Sequence, residues 1–387
     1  AEVKKIETKG TSKLPATNHD VKAVEYYLKG KFNNNGLSNL SEYLHFALTS
    51  EDTNNISYAM MISSALKKII LPELITIQKH LLKLSAEHSN CSLLARTHGQ
   101  PAIPTTFGKE FRIFENRVKT QINRINKIKI LSKLNGAAGN YNAHMAAFPK
   151  INWLKFSESF IKHLNNEFNL NIFINMITPQ IEPHDSYCEL FDALSAVNMI
   201  LTDMCQDIWR YISDDLLIQK APKGEIGSST MPHKINPIAF ENAEGNLGMA
   251  NALFKHFSSK LPISRLQRDL SDSTVQRNFG VAFAHSLIAY ESLLKGLSRI
   301  TVNVTKAKQQ IAAHPEIYAE AIQTILRREN FPKPYELLKT LTRGSKITKA
   351  KLNKFVKNLK VNKKIKTEIF NSINTGYIGI ADKLAKN

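Results

Sequence analysis

Cysteine is scarce in this sequence. The three residues, Cys91, Cys188 and Cys205, are odd in number, far apart and form no C-x-x-C pair. That argues against a disulfide framework or a cysteine-built zinc site, and it fits a reducing cytoplasm. No run of 18 apolar residues occurs, so nothing reads as a membrane-spanning helix. The first residues lack the basic–apolar–small pattern of a secretory signal. Internal repeats are absent, and no glycine-rich phosphate loop follows a strand-like segment. Acidic side chains are also in deficit: 33 against 52 Lys and Arg, a formal charge of +19. The lysines are scattered, with one denser stretch from Lys346 to Lys366. That stretch has little aromatic interleaving and matches no zinc-finger or RNP-like pattern, so nucleic acid is not expected as a partner. Solvated helix faces are the expected home of the excess, and a positive field around a cleft for an anionic small molecule is compatible with it.

What is present is helical periodicity. Phe107, Phe111, Phe114, Val118, Ile122 and Ile125 recur at steps of three and four, the pattern of one buried helix face. Leu190, Leu194, Val197, Leu201, Met204, Ile208, Ile212 and Leu216 repeat it. Between Pro183 and Pro222 there is neither glycine nor proline, which allows a helix of more than 30 residues, roughly 50 Å long at 1.5 Å per residue. Helices of that length pack side by side in bundles. Thr49-Ser50-Glu51-Asp52 reads as a capping box opening a helix that bends at Pro72. Asn236-Pro237 reads as a helix start with proline at the first position. A further helix is expected from about Ser273 to Leu297, and only Asn169 to Ile181 reads as extended. The expected fold is all-α, a long central helical bundle with smaller helical N- and C-terminal domains. The expected boundaries are 1–46, 47–296 and 297–387, the last segment broken into short helices at Pro315, Pro332, Pro334 and Gly344.

Composition shifts abruptly between Lys220 and Pro237. Gly224 and Gly227 flank the paired hydroxyls Ser228 and Ser229, and Met231-Pro232-His233-Lys234-Ile235-Asn236-Pro237 follows. Glycines permit a mobile loop. Hydroxyls, a lysine and a helix N-terminus within ten residues favour an anion, because backbone N–H groups and the helix dipole face it. A generic polar inter-helix loop explains the serine pair but not the whole string.

That string resembles the signature loop of the fumarase/aspartase superfamily. Within the superfamily the chain is most similar to the adenylosuccinate lyase family of bacterial purine synthesis. Three more stretches carry this likeness: Thr17 to Ala23, Arg96 to Ala102, and Arg265 to Asn278. It runs from about Val3 to Leu384. The resemblance implies β-elimination of fumarate from adenylosuccinate and from the succinylaminoimidazole carboxamide ribotide (SAICAR), with no metal and no cofactor. It also implies a cytoplasmic all-α homotetramer whose active sites are each assembled from three subunits.

By the same resemblance Ser228 is the general base, Ser229 binds substrate beside it, and His98 is the general acid. Histidine suits that role because its ordinary pKa lies near working pH. Lys234, Ile235 and Asn236 would contact the substrate from the loop. Thr49 and Ser50 would bind a succinyl carboxylate, and Gln180 and Asn242 would orient the substrate. Asn18, His19 and Asp20 align with a substrate-contacting segment. His45 does too, although Leu44 and Phe46 equally suggest a helix-like core position. Arg268, Ser273, Thr274, Val275, Gln276 and Arg277 would form the nucleotide subsite, where a planar guanidinium grips two phosphate oxygens at once. The alternative for these arginines is surface pairing with Asp269 and Asp272. His233 is expected to tune substrate choice. The family also carries an Arg-Tyr pair some dozens of residues before the Asn-His-Asp motif, a segment not contained in a sequence that starts at Ala1; the expectation is that this chain is part of a longer one.

Overall fold

Residues spaced three and four apart become buried helix faces. The computed structural model describes residues 1–12, 14–220, 231, 234–342 and 347–387. Among them the chain is all-α. In the helix Phe107–Ile125, all six residues of the expected stripe are buried. The glycine- and proline-free stretch forms Asp185–Ser213, a helix of 29 residues. Leu190 to Ile208 of its stripe are buried, but Leu216 lies beyond the helix end. No helix among the described residues is long and apolar enough to cross a membrane.

The helix starts also follow local chemistry. Ser50–Ala65 opens on the capping box, with the Thr49 N–H donating to Asp52 Oδ2 at 2.9 Å. Pro72 has no N–H to give the preceding turn. The chain absorbs the lost bond in a π-helical turn, Leu66–Ile70, and continues as Leu71–Glu87. Pro237 sits one position earlier than expected. Its carbonyl accepts from the Phe240 and Glu241 N–H groups (3.0 and 3.3 Å), so it caps Ile238–Lys260 from outside. The helix expected from Ser273 to Leu297 is two, Ser271–Gln276 and Phe279–Leu297, parted at Arg277 and Asn278.

Extended structure is wider than the single expected segment. Ile172–Ile174 lies inside that segment and pairs in parallel with Ile130–Ser132. Ser92–Thr97 and Gln100–Thr106 form an antiparallel hairpin, and Leu217–Gln219 pairs with Ile300–Val302. Pro101 and Pro104 hide the hairpin from the sequence, yet both are tolerated because a two-stranded ribbon has only edge strands.

The described chain divides into two compact units. The first comprises Ala1–Pro72, Arg124–Ser195 and Ala250–Ala284. Its core holds an aromatic cluster. Phe191 stacks on Phe254 (5.5 Å) and meets Phe257 and Phe279 at 5.3 and 5.1 Å, all almost fully buried. Tyr58 and Tyr187 pack edge-on against Phe279, which ties this core to the Arg268–Arg277 segment. The second unit comprises Glu73–Asn123, Ala196–Met249 and His285–Asn387. Its C-terminal part has its own apolar cluster, including Ile322, Leu326, Leu352, Val356 and Ile369.

Truncating Phe191 to Ala removes the ring shared by four aromatic contacts. Loss of about 3–5 kcal/mol is expected, read as a lowered denaturation midpoint. A loss below about 1 kcal/mol would show that the cluster does not hold the first unit together.

Candidate active site

The first unit builds a polar site from three helix starts. Asn18 adopts φ +49°, a conformation asparagine tolerates better than most residues. It turns the chain into the helix Asp20–Asn34, with His19 as N-cap. His19 Nδ1 accepts the Lys22 N–H at 3.3 Å, which leaves the ring proton of the neutral form on Nε2. That nitrogen lies 3.3 Å from Ser50 Oγ. Two stretches 31 residues apart in sequence therefore meet, through a tautomer set by helix capping.

Beneath Ser50 lies Asp52, fully buried. Its Oδ1 meets Lys133 Nζ at 2.7 Å and the Asn135 N–H at 3.2 Å, and its carboxylate accepts from the Gly136 N–H. Lys133 is itself completely buried, and its remaining ammonium protons go to the carbonyls of Gly136 and Gln180, both at 2.8 Å. Three donors thus find three acceptors, the condition under which a buried lysine is tolerable. Burial still pulls the Lys133 pKa down, against the attraction of Asp52. Gly136 has φ +82°, so glycine is required where this N–H must point at Asp52.

Arg268 turns inward. Its Nη2 lies 3.2 Å from Glu51 Oε2, and Nη1 donates weakly to Gln180 Oε1 at 3.5 Å. The pairing with Asp269 expected of a surface arginine is made instead by Arg265, at 3.1 Å. Asp269 is held down to about 2, first by the hydrogen bond from the Ser271 hydroxyl. Arg277 donates to Ser273 Oγ at 2.7 Å. Glu51 is only 2% exposed, and burial pushes its carboxyl up to about 7. Asp272 is likewise buried and raised by burial. His184 is pushed down to about 4 by burial, and its neutral Nε2 accepts from the Gln276 amide at 2.8 Å. Glu51, His184 and Asp272 bring ligand atoms within 4.8 Å of one another. A cation would suit that grouping, but the Arg268 guanidinium already stands against Glu51 and supplies the positive charge.

His19, Ser50, Glu51, Arg268, Ser273, Gln276 and Arg277 among these groups line a cavity of about 540 Å³. Of the residues expected at the site, it gathers Asn18, His19, Asp20, Thr49, Ser50, Arg268, Ser273, Thr274, Gln276 and Arg277. Gln180 reaches it through Arg268. Val275 is buried, and neither it nor His45 is among the lining residues. His45 is not helical: it has φ +59° after the short 3-10 helix Ser38–Tyr43. The structure adds Glu7, Glu51, Asn54 and Tyr58 to the wall, with Asp52, Lys133, His184 and Asp272 behind. No sequence signal set Lys133 apart, because it follows Lys127 and Lys129 in a lysine-rich segment.

The other expected residues that the structure describes belong to the second unit. His98 and Gly99 are the two central residues of the hairpin turn, with φ +52° and +74°. Positive φ at both positions is the type I′ geometry that suits a two-residue turn. It leaves His98 exposed at the tip, where Arg96 Nη1 donates to the Gly99 carbonyl at 3.3 Å. Lys234 and Ile235 are exposed and Asn236 half-buried just before the Ile238–Lys260 helix, where Gln219 donates to the Ile235 carbonyl (2.9 Å). Asn242 donates to Ser292 Oγ at 3.0 Å. Ser228, Ser229 and His233 lie outside the described residues.

Comparison with known proteins extends the likeness across the chain. A lyase family model matches residues 4–251, and an adenylosuccinate lyase C-terminal model matches residues 264–378. The chain is 49% identical over 371 residues to the adenylosuccinate lyase of Legionella pneumophila (strain Corby), covering 96% of this chain and 80% of that one. It is 50% identical over 369 residues to that of Buchnera aphidicola subsp. Schizaphis graminum, covering 95% and 80%. For Escherichia coli (strain K12) the identity is 47% over 366 residues, covering 94% and 79%. Among solved structures, the 3-carboxy-cis,cis-muconate lactonizing enzyme of Pseudomonas putida shares the fold. Its TM-score is 0.74 at 16% identity, covering 95% of this chain and 81% of that one. A fumarate lyase from Mesorhizobium sp. BNC1 gives 0.72 at 15%, covering 95% and 80%.

The burial of Glu51 has a measurable consequence. Its folded pKa of about 7 stands above the ordinary 4.5, so the folded state binds more protons than the unfolded state between those values. Stability through this group is therefore present at low pH and lost as pH rises through that window, by roughly 3 kcal/mol for a shift of that size. The melting temperature of Glu51→Gln relative to wild type should rise between pH 5 and pH 8. A difference that stays constant over that range would show that Glu51 is not desolvated.

Proposed function

The chain belongs to the adenylosuccinate lyase family, and from that premise we propose the roles its residues take in releasing fumarate. The protein is a lyase of purine nucleotide biosynthesis that eliminates fumarate from adenylosuccinate, leaving AMP. We infer the same elimination on SAICAR, giving AICAR. A proton leaves the succinyl Cβ, the bond to the purine-side nitrogen breaks, and that nitrogen is reprotonated. A proton beside a carboxylate is weakly acidic, so the carbanion needs an aci-carboxylate held by preorganised donors, worth several kcal/mol each. We assign those donors to Lys234, Asn236 and the loop N–H groups.

Ser228 is the base in this reading, Ser229 binds substrate beside it, and His98 protonates the departing nitrogen. Loop closure that excludes water would strengthen each of these interactions. Thr49 and Ser50 take a succinyl carboxylate, with Ser50 oriented by His19. Arg268, Ser273 and Arg277 take the phosphate. One observation supports the carboxylate- and phosphate-binding roles most: Thr49, Ser50, Ser273, His19 and two arginines line a single polar cavity. Its dimensions fall in the range of small-molecule sites.

We further infer a cytoplasmic homotetramer with active sites shared among subunits. Large apolar side chains lie exposed on the long helices. They include Met61 and Val281 in the first unit, and Met199, Met249 and Ile288 in the second. Burial of these side chains between subunits would remove apolar surface from water.

Absorbance change during incubation with adenylosuccinate tests the assignment. Wild-type protein is expected to convert it to AMP and fumarate. Ser228→Ala and His98→Ala should each lower kcat by about 100-fold or more. Mild effects at both would mean that other groups move the protons. Arg268→Lys should raise KM severalfold, because lysine cannot offer a two-pronged grip; unchanged kinetics would remove Arg268 from the site.

A further inference from the structure

Glu51 carries a buried oxygen with nothing to bind. Its Oε2 faces Arg268, but its Oε1 has no hydrogen-bond partner among the described residues. An ionised carboxylate left that way is costly unless a donor or a proton occupies the free oxygen. The groups facing Glu51 come from every element packed around it. Asp52 follows it on its own helix, Lys133 adjoins from the Ile130 strand, and His184 and Tyr187 come from the start of the Asp185–Ser213 helix. Arg268 comes from the segment entering Ser271–Gln276, Asp272 from the first turn of that helix, and Tyr58 lies two turns along the helix that carries Glu51. Two of these are cations. The three ammonium protons of Lys133 are committed to Asp52, Gly136 and Gln180, so Arg268 is the cation that Glu51 balances.

We propose that Glu51 is a positioning residue of the phosphate subsite: its carboxyl holds the Arg268 guanidinium in place, and its Oε1 takes up a proton when an anion docks on that arginine. The inference rests on the reading of Arg268 as a phosphate ligand. With the site empty, the ionised carboxylate neutralises Arg268. An arriving phosphate adds negative charge to the same guanidinium, already neighboured by Asp272. One proton from solvent then bonds to Glu51 Oε1, while Oε2 remains an acceptor for Nη2; no other bond changes. Burial already brings the carboxyl to about 7, so the exchange falls within reach of neutral pH.

Isothermal titration of the intact, assembled protein with AMP and with adenosine tests this, using two buffers of different ionisation enthalpy at pH 6 and pH 8. Wild type is expected to take up more protons than Glu51→Gln on binding AMP. The excess should approach one proton and be larger at pH 8, where the empty-site carboxyl is ionised, and it should vanish with adenosine. Equal uptake by both proteins at pH 8 overturns the proposal. Adenosine 5′-sulfate, whose charge is constant over this range, gives the answer from wild type alone: uptake that grows from pH 6 to pH 8 supports it, and no uptake contradicts it. Arg268→Gln, which removes the positive charge that lysine would keep, separates the two levels. If it leaves the preference for AMP over adenosine intact, the phosphate reading itself falls and takes the inference with it. If it abolishes that preference while Glu51→Gln matches wild type in proton uptake, only the role of Glu51 is wrong.

Discussion

A single buried carboxylate holds the described part of the site together. Asp52 closes the capping box at Thr49, pairs with Lys133 and accepts the N–H groups of Asn135 and Gly136. Lys133, Asn135 and Gly136 lie more than 80 residues away in sequence. The helix start that presents Thr49, Ser50 and Glu51 to the cavity is therefore fixed by a contact that no local propensity provides. Fully satisfied networks of this kind are rigid, whereas removing one member leaves an uncompensated charge in low dielectric. Lys133 then passes the constraint on to the carbonyl of Gln180, whose side chain touches Arg268. The succinyl and phosphate ends of the proposed substrate site are linked through one ammonium group.

The charge balance of the first unit follows the same logic. The chain carries a large positive excess, yet the cations at the cavity are few and individually placed. Arg265 spends its charge on Asp269 at the surface. Arg268, three residues on, is turned inward by Glu51, and Arg277 is steadied by Ser273 one helical turn before it. A half-buried guanidinium with one edge held by a carboxyl is suited to grip an anion in a defined orientation, which a freely rotating lysine would not do. The deficit of acids across the chain and the cluster of acids behind the cavity are thus separate matters. The first is spread over solvated helix faces, and the second sets the properties of two residues.

Much of this was legible in the sequence wherever the determinant was local. The Phe107 and Leu190 stripes, the Thr49 capping box, the absence of glycine and proline after Pro183 and the Arg265–Asn278 motif all fall within one or a few helical turns. The ten expected residues that line the cavity came from the family resemblance, carried over onto matching positions of the chain. What the sequence concealed depends on contacts distant along the chain. The Ser92–Thr106 hairpin is masked by two prolines that only an unpaired edge tolerates. The break at Arg277 is masked by apolar spacing that runs through it. Lys133 looks like any other lysine in a lysine-rich chain until the fold surrounds it, and Glu51 looks like a second capping acid beside Asp52. His45 read equally as a substrate contact and as a helix-like core position; its positive φ is not helical, and it is not among the residues lining the cavity.

Hydrogen–deuterium exchange on an Asp52→Asn variant tests the central role of this carboxylate most directly. The amides of residues 49–55 and 133–137 should lose protection together, while those of the Phe107–Ile125 helix keep theirs. Loss confined to the first turn of the Ser50–Ala65 helix, with 133–137 still protected, would contradict the account.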